Sequence, residues 1–159
     1  MKREPEKFTV HLKPAFTVAH NGKVLRKNSA EFHIDYQKRQ FIAYVSHLVI
    51  DFSGVKEWTF NIEEYAHLTC AHGSSIEGKH CNTIVCGYDC IVKLDDDNMV
   101  YAGVDCSFTI GDGNMVRCSD KCAFTTGHDC TFKTGKDCIF STGGGCNFST
   151  DSNCKFTTG

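Results

Sequence analysis

The chain has 159 residues, 41% hydrophobic and 23% charged, with a formal net charge of −2. Those values suit one compact domain and exclude a disordered tail or a histone-like nucleic-acid binder. The 11 cysteines are the anomaly, open to three explanations: a secreted disulfide scaffold, a zinc protein, or a fold that uses cysteine as a small apolar filler.

The first segment, 1–56, holds no cysteine. Met1 to Lys7 is charged and no apolar stretch comes after it, so it does not read as a signal peptide. A reducing cytoplasm is expected, where disulfides are rare. The longest apolar run, near Phe41 to Ile50, contains Ser46 and His47; it is too short and too polar to span a bilayer, and no membrane partner is expected. Phe8, Val10 and Leu12 alternate, as do Phe32, Ile34 and Tyr36, the period of strands with one buried face. Asn21-Gly22 and Gln37-Lys38-Arg39-Gln40 mark hairpin turns. The segment is predicted to be a mainly-β cap over the first coil of a repeat that occupies the rest of the chain. Ile50 and Phe52 fit the register of that repeat, so its first coil is expected near them.

The second segment, 57–159, is an octapeptide repeat. It is plainest at Lys121-Cys122-Ala123-Phe124-Thr125-Thr126-Gly127, Asp129-Cys130-Thr131-Phe132-Lys133-Thr134-Gly135 and Asp137-Cys138-Ile139-Phe140-Ser141-Thr142-Gly143, and it continues through Cys146-Asn147-Phe148 and Cys154-Lys155-Phe156. Cys, Phe and Thr alternate with variable residues, as on a strand with one buried face. Reading upstream from Phe156 in steps of eight, the phenylalanine position holds Phe148, Phe140, Phe132, Phe124, Val116, Phe108, Val100, Val92, Ile84, Ile76, Leu68 and Phe60, all apolar. The cysteine position splits in two. Every second unit reads Trp58, Ser74, Cys90, Cys106, Cys122, Cys138, Cys154; the others read Ala66, Asn82, Asn98, Asn114, Cys130, Cys146. Two columns mean two sides. The predicted fold is all-β, a two-sided β-solenoid of 16-residue coils with two octads each. Six to seven coils at about 4.8 Å make a rod of about 30 Å. Cys106, Cys122, Cys130, Cys138, Cys146 and Cys154 are expected in its core with Phe108, Phe124, Phe132, Phe140, Phe148 and Phe156. Large residues are expected to meet small ones across the thin interior. Glycine is expected at corners that need positive φ.

The unit Gly135-Lys136-Asp137-Cys138-Ile139-Phe140-Ser141 resembles the octapeptide of bacterial ice-nucleation proteins, which carry serine at the cysteine position and leucine at the phenylalanine position. The Cys-x-Phe-x-Thr-Gly form is similar to solenoid proteins of tailed bacteriophages. The first resemblance implies the fold. The second implies a phage origin, with the cytoplasm of a bacterial host or the virion as location.

Cys70, His72, His80, Cys81, Cys86 and Cys90 supply zinc-ligand types within one region, but their spacing is not that of a known finger. The octad register puts Cys70 and Cys86 in one inward column, Cys90 on the other side, and both histidines in corners. Core fillers and surface histidines are therefore the favoured reading, with no metal or other cofactor. Ten of the eleven cysteines take inward positions and are expected as reduced thiols; Cys81, at a corner, is the candidate reactive one. Asp95-Asp96-Asp97 lacks the spaced ligands of a calcium loop and is expected as a solvated corner insertion. No nucleophile elbow, phosphate loop or HExxH is present, so no catalytic residue is expected. Outward Thr-x-Thr rows are irregular, which leaves ice or surface binding a minor alternative. No basic stripe with interleaved aromatics supports direct nucleic-acid binding.

Residues 1–57 carry ten Lys/Arg against six Asp/Glu, and the remainder seven against thirteen, a modest dipole that favours head-to-tail contact or a basic partner. The last unit, with Phe156, Thr158 and Gly159, is at full consensus, whereas terminal repeats are normally polar. Self-association or docking of a protein partner through this open C-terminal coil is expected. The functional expectation is a non-enzymatic structural or interaction protein, a virion decoration or accessory element. The alternative is an intracellular inhibitor of a host defence or nucleic-acid enzyme, acting by shape and acidic charge.

Overall fold

The computed structural model describes residues 16–25 and 29–159. They form an all-β solenoid of about seven stacked turns with 16-residue coils. The alternation at Phe8, Val10 and Leu12 lies outside the described residues.

The strands, in chain order, are β1 (Thr17–His20), β2 (Lys23–Val24), β3 (Phe32–Asp35), β4 (Gln40–Ala43), β5 (Leu48–Phe52), β6 (Thr59–Ile62), β7 (His67–Cys70), β8 (Ser75–Gly78), β9 (Thr83–Val85) and β10 (Ile91–Leu94). The second half holds β11 (Met99–Tyr101), β12 (Ser107–Ile110), β13 (Met115–Arg117), β14 (Ala123–Thr126), β15 (Thr131–Lys133), β16 (Ile139–Thr142), β17 (Asn147–Ser149) and β18 (Lys155–Thr158). Odd-numbered strands from β5 to β17 stack in parallel in one sheet, and even-numbered strands from β4 to β18 in the other. Each octad thus supplies one strand, and the side alternates, as the two-column pattern requires.

Two hairpins start the molecule. In the first, His20 pairs with Lys23, and Asn21 and Gly22 take φ of 50° and 74°, the positive values a tight type I′ turn needs. In the second, Asp35 pairs with Gln40, and the Asp35 carboxylate accepts the backbone N–H of Gln37 and of Lys38, each at 3.0 Å. β1 pairs antiparallel with β5, and β3 with β4. Antiparallel partners therefore cover the first parallel strand of each sheet, which blunts edges that would otherwise recruit other strands.

The parallel ladder begins upstream of residue 57. β4 already pairs in parallel with β6, and β5 with β7. This first coil is longer than the rest: Phe41 lies over Phe60 and Ile50 over Leu68, offsets of 19 and 18 residues instead of 16. The extra residues put Phe52 over Cys70, away from the phenylalanine column.

The core is two interlocked aromatic ladders. Phe108, Phe124, Phe140 and Phe156 stack face to face with centroids 4.7–4.9 Å apart; Phe132 and Phe148 stack at 5.3 Å on the other sheet. Across the core the ladders meet edge to face, as in Phe132–Phe140 at 5.3 Å and 66°. Large residues thus meet large ones, contrary to the large-against-small expectation. The T-shaped contact aims a positive ring edge at a negative face, so two rings fill the thin interior without repulsion. Each fully buried phenylalanine contributes about 1.5–3 kcal/mol through area alone. At the N-terminal end Phe16, Tyr36, Phe52 and Trp58 form an aromatic plug, with Phe16 stacked on Phe52 at 4.8 Å and Tyr36 edge-on to Trp58 at 5.9 Å.

Glycine takes the expected positive φ at the corners of Gly73, Gly113 and Gly145, between 66° and 75°, but most corners use another residue. Positive φ falls mostly on the residue before the cysteine position: Asp89, Asp105, Lys121, Asp137 and Asn153 at one corner, and Cys81, Asp97 and Asp129 at the other, all between 55° and 61°. Asp and Asn tolerate this region best among residues with a side chain. The glycine after threonine is needed for closeness. A Cβ on Gly127 would come within 1.8 Å of Asp112 Oδ1, and one on Gly135 within 2.0 Å of Asp120 Oδ1.

Candidate functional site

The cysteine position has a polar task. At the corner entering the even-numbered strands, Cys106 Sγ lies 3.4 Å from both the Gly87 and Val104 carbonyls. Cys90, Cys122 and Cys138 repeat the arrangement at 3.5–3.7 Å. A thiol is a small hydrophobe with one weak donor, so it fills the corner and partly serves two carbonyls there. At the opposite corner, asparagine does this more strongly. Asn98 Nδ2 donates to the Asp95 and Asp96 carbonyls at 3.0 and 2.9 Å, and Asn98 Oδ1 accepts the backbone N–H of Asn82 at 2.8 Å. Asn82, Asn98 and Asn114 form a buried ladder that Cys130 and Cys146 continue.

Cys106, Cys122, Cys130 and Cys138 are buried with Phe108, Phe124, Phe132 and Phe140. Cys146, Cys154 and Phe148 are half-buried, and Phe156, Thr158 and Gly159 are exposed. Seven of the cysteines are fully buried; Cys81, Cys118, Cys146 and Cys154 are intermediate, so Cys81 is not alone in reaching solvent.

The octad register separates Cys86 from Cys90, yet the structure brings them together. Cys86 ends its inward column just before the corner and Cys90 opens the next column just after it. Cys106 stacks one coil on. The three Sγ atoms lie within 4.8 Å of one another, all buried. His72, His80 and Cys81 do not join them. The His72 ring stacks on Tyr88 at 4.4 Å, His80 Nε2 lies 3.3 Å from Glu64 Oε2, and Cys81 sits in a positive-φ corner. Within the triad Cys106 feels an upward push from Cys122, but its contacts with Cys86 and Cys90 outweigh it and hold the thiol below its ordinary range. The contact with Cys106, then that with Cys90, then burial push Cys86 strongly up. Burial above all pushes Cys70, one coil before, up to about 12.

Asp95-Asp96-Asp97 is no insertion, since the 16-residue offset is kept through it. Asp96 Oδ1 accepts the backbone N–H of Asp112 at 2.8 Å, and Asp97 takes a φ of 57°. All three side chains are exposed, as expected of a solvated corner, and the Asp96 carboxylate is built into it. On the even-numbered sheet a depression of about 500 Å³ is lined by Asn61, Glu77, Gly78, Lys93 and Thr109 among others; Ile62 and Leu94 close over Gly78, where a Cβ would strike them at 2.7 and 2.9 Å.

No family model matches the chain, and neither a curated protein nor a solved structure does. The resemblance to ice-nucleation octads and phage solenoids therefore rests on the repeat unit alone. No helix among the described residues is long and apolar enough to cross a membrane.

Proposed function

We propose that the chain is a non-enzymatic scaffold, a rigid solenoid used in assembly or partner binding, phage-encoded and placed in or on a virion. The two unbroken parallel ladders carry this reading. Strands β5 to β17 and β4 to β18 stack coil on coil, the phenylalanine column beneath the even-numbered strands is in face-to-face contact at 4.7–4.9 Å, and the outward face of that sheet holds the exposed side chains of Ile91 and Ile139 in one column. A stiff rod with apolar side chains on an outer face suits partner binding better than chemistry. Light scattering of the purified chain mixed with purified capsid and tail proteins tests this. A defined complex is expected, weakened by Ile139→Lys. No complex with any of them, or one indifferent to Ile139→Lys, overturns it. Mass spectrometry of purified virions tests the location; absence from every particle preparation counts against it.

A further inference from the structure

The buried thiol triad is the one feature among the described residues that brings several metal-ligating atoms of one chemical type to a single point. We infer that Cys86, Cys90 and Cys106 form a three-sulfur site for a soft, thiophilic cation, with Cu(I) the best fit. The ligand set is all sulfur, which selects Cu(I), zinc and their like over hard oxygen-seeking cations. Burial narrows the choice: the three residues are 7%, 1% and 2% exposed. A three-ligand zinc site keeps an open position for water, and a structural one takes a fourth protein ligand. Neither suits this corner: Cys122 touches Cys106 from the next coil but lies outside the group of three whose sulfurs are within 4.8 Å of one another. Ala102 precedes Cys106 around the same corner just as Cys86 precedes Cys90, so the fourth sulfur of a symmetrical pair of coils is replaced by a methyl group.

The hydrogen bonds given up are weak. The Cys90 and Cys106 thiols face carbonyls at 3.4–3.5 Å, ordinary distances for sulfur but bonds from a weak donor. Binding forms Cu–S bonds, releases the displaced thiol protons to solvent and leaves copper at +1, so no oxidant or reductant is consumed. The opposite corner offers no equivalent: Cys130 and Cys146 face Thr126 and Thr142 in the neighbouring column.

The test titrates the reduced, full chain with Cu(I) under anaerobic conditions against bicinchoninate, with X-ray absorption on the loaded protein. About one tightly held Cu(I) per chain in a three-sulfur shell is expected. Outer-shell changes alone cost about 10–100-fold in metal affinity, so Cys86→Ala, which repeats the alanine of Ala102, should weaken binding about 100-fold or more. Cys146→Ser should leave it unchanged. Failure to retain Cu(I) against the chelator, a shell of two sulfurs, undiminished binding in Cys86→Ala, or equal loss in Cys146→Ser each overturns the site. Circular dichroism monitors folding. If Cys86→Ala does not fold, Cys106→Ala and the wild-type sulfur count decide.

Discussion

Asp112 Oδ1 accepts the backbone N–H of His128, one coil further on, at 2.7 Å. The same oxygen lies 1.8 Å from where a Cβ on Gly127 would stand. The bond recurs as Asp96 to Asp112 at 2.8 Å and, with a histidine Nδ1 as acceptor, as His128 to Gly144 at 3.0 Å. At the other corner Asp120 accepts from Lys136 at 3.1 Å. The glycine of Thr-Gly is the space this bond needs.

That relationship predicts a coupling. Gly127→Ala forces the Asp112 side chain out and should cost about 1–3 kcal/mol, the usual penalty of overpacking. Asp112→Ala should cost about 1–2 kcal/mol for the lost charge-assisted bond. Once Asp112 is gone the clash is gone as well, so the double variant should be less destabilised than the sum of the two. Denaturant unfolding of the four proteins checks this; strict additivity would show that the glycine serves some other purpose.

The asparagine ladder predicts a graded series at position 98. Asn98→Ala strands the Asn82 N–H and removes the donors to Asp95 and Asp96, at about 1–3 kcal/mol for each buried group left unsatisfied. Asn98→Cys, the residue this column uses at Cys130, restores a weak donor but no acceptor. Thermal melts should rank the wild type above Asn98→Cys and Asn98→Ala last. Equal melts for the two variants would show that the thiol does not serve the corner carbonyls.

Thr142 offers a stabilising change. Its hydroxyl is buried without a hydrogen-bond partner, whereas Thr126 and Thr134 donate to the carbonyls of Gly127 and Gly135 at 3.4 Å. Thr142→Val keeps the shape and should stabilise by about 1 kcal/mol. Thr134→Val, which discards a donor, should not. A lowered melting temperature for Thr142→Val would contradict the orphan hydroxyl.

The second hairpin predicts a response to acid. The backbone N–H of Lys38, and secondarily that of Gln37, hold the Asp35 carboxyl below its ordinary value. The turn is therefore tied while Asp35 is charged, and the tie is lost as pH falls from about 4 through the lowered folded value. In a carbon-13 NMR titration, Asp35 should protonate later than an exposed aspartate, and the Gln37 and Lys38 amide shifts should move with it. Asp35→Asn should remove that response.

Much of this was legible in the chain. The octad, its splitting into two columns and the alternation inside each unit arise because a stacked coil repeats its environment every 16 residues. Asn21-Gly22 announced its turn because few residue pairs accept two positive φ values in succession. Three things were not legible. The lengthened first coil was hidden because the two extra residues between β5 and β7 conserve the in-out alternation while shifting the stacking, so Phe52 still looks inward. The role of the Thr-Gly glycine was hidden because its partner is 15 residues away. The thiol triad was hidden because an octad drawn flat puts Cys86 and Cys90 in different columns.

The sequence by itself determined the period, the two-sidedness and the identity of the core columns, since these depend on which residues can be buried at a spacing the chain repeats. Only the tertiary structure decided what those columns do to one another. Folding around a tight corner sets the end of one column beside the start of the next. That is why phenylalanine meets phenylalanine edge-on, why aspartate bonds to a coil that is remote in sequence, and why three of the cysteines share one point in a dry interior.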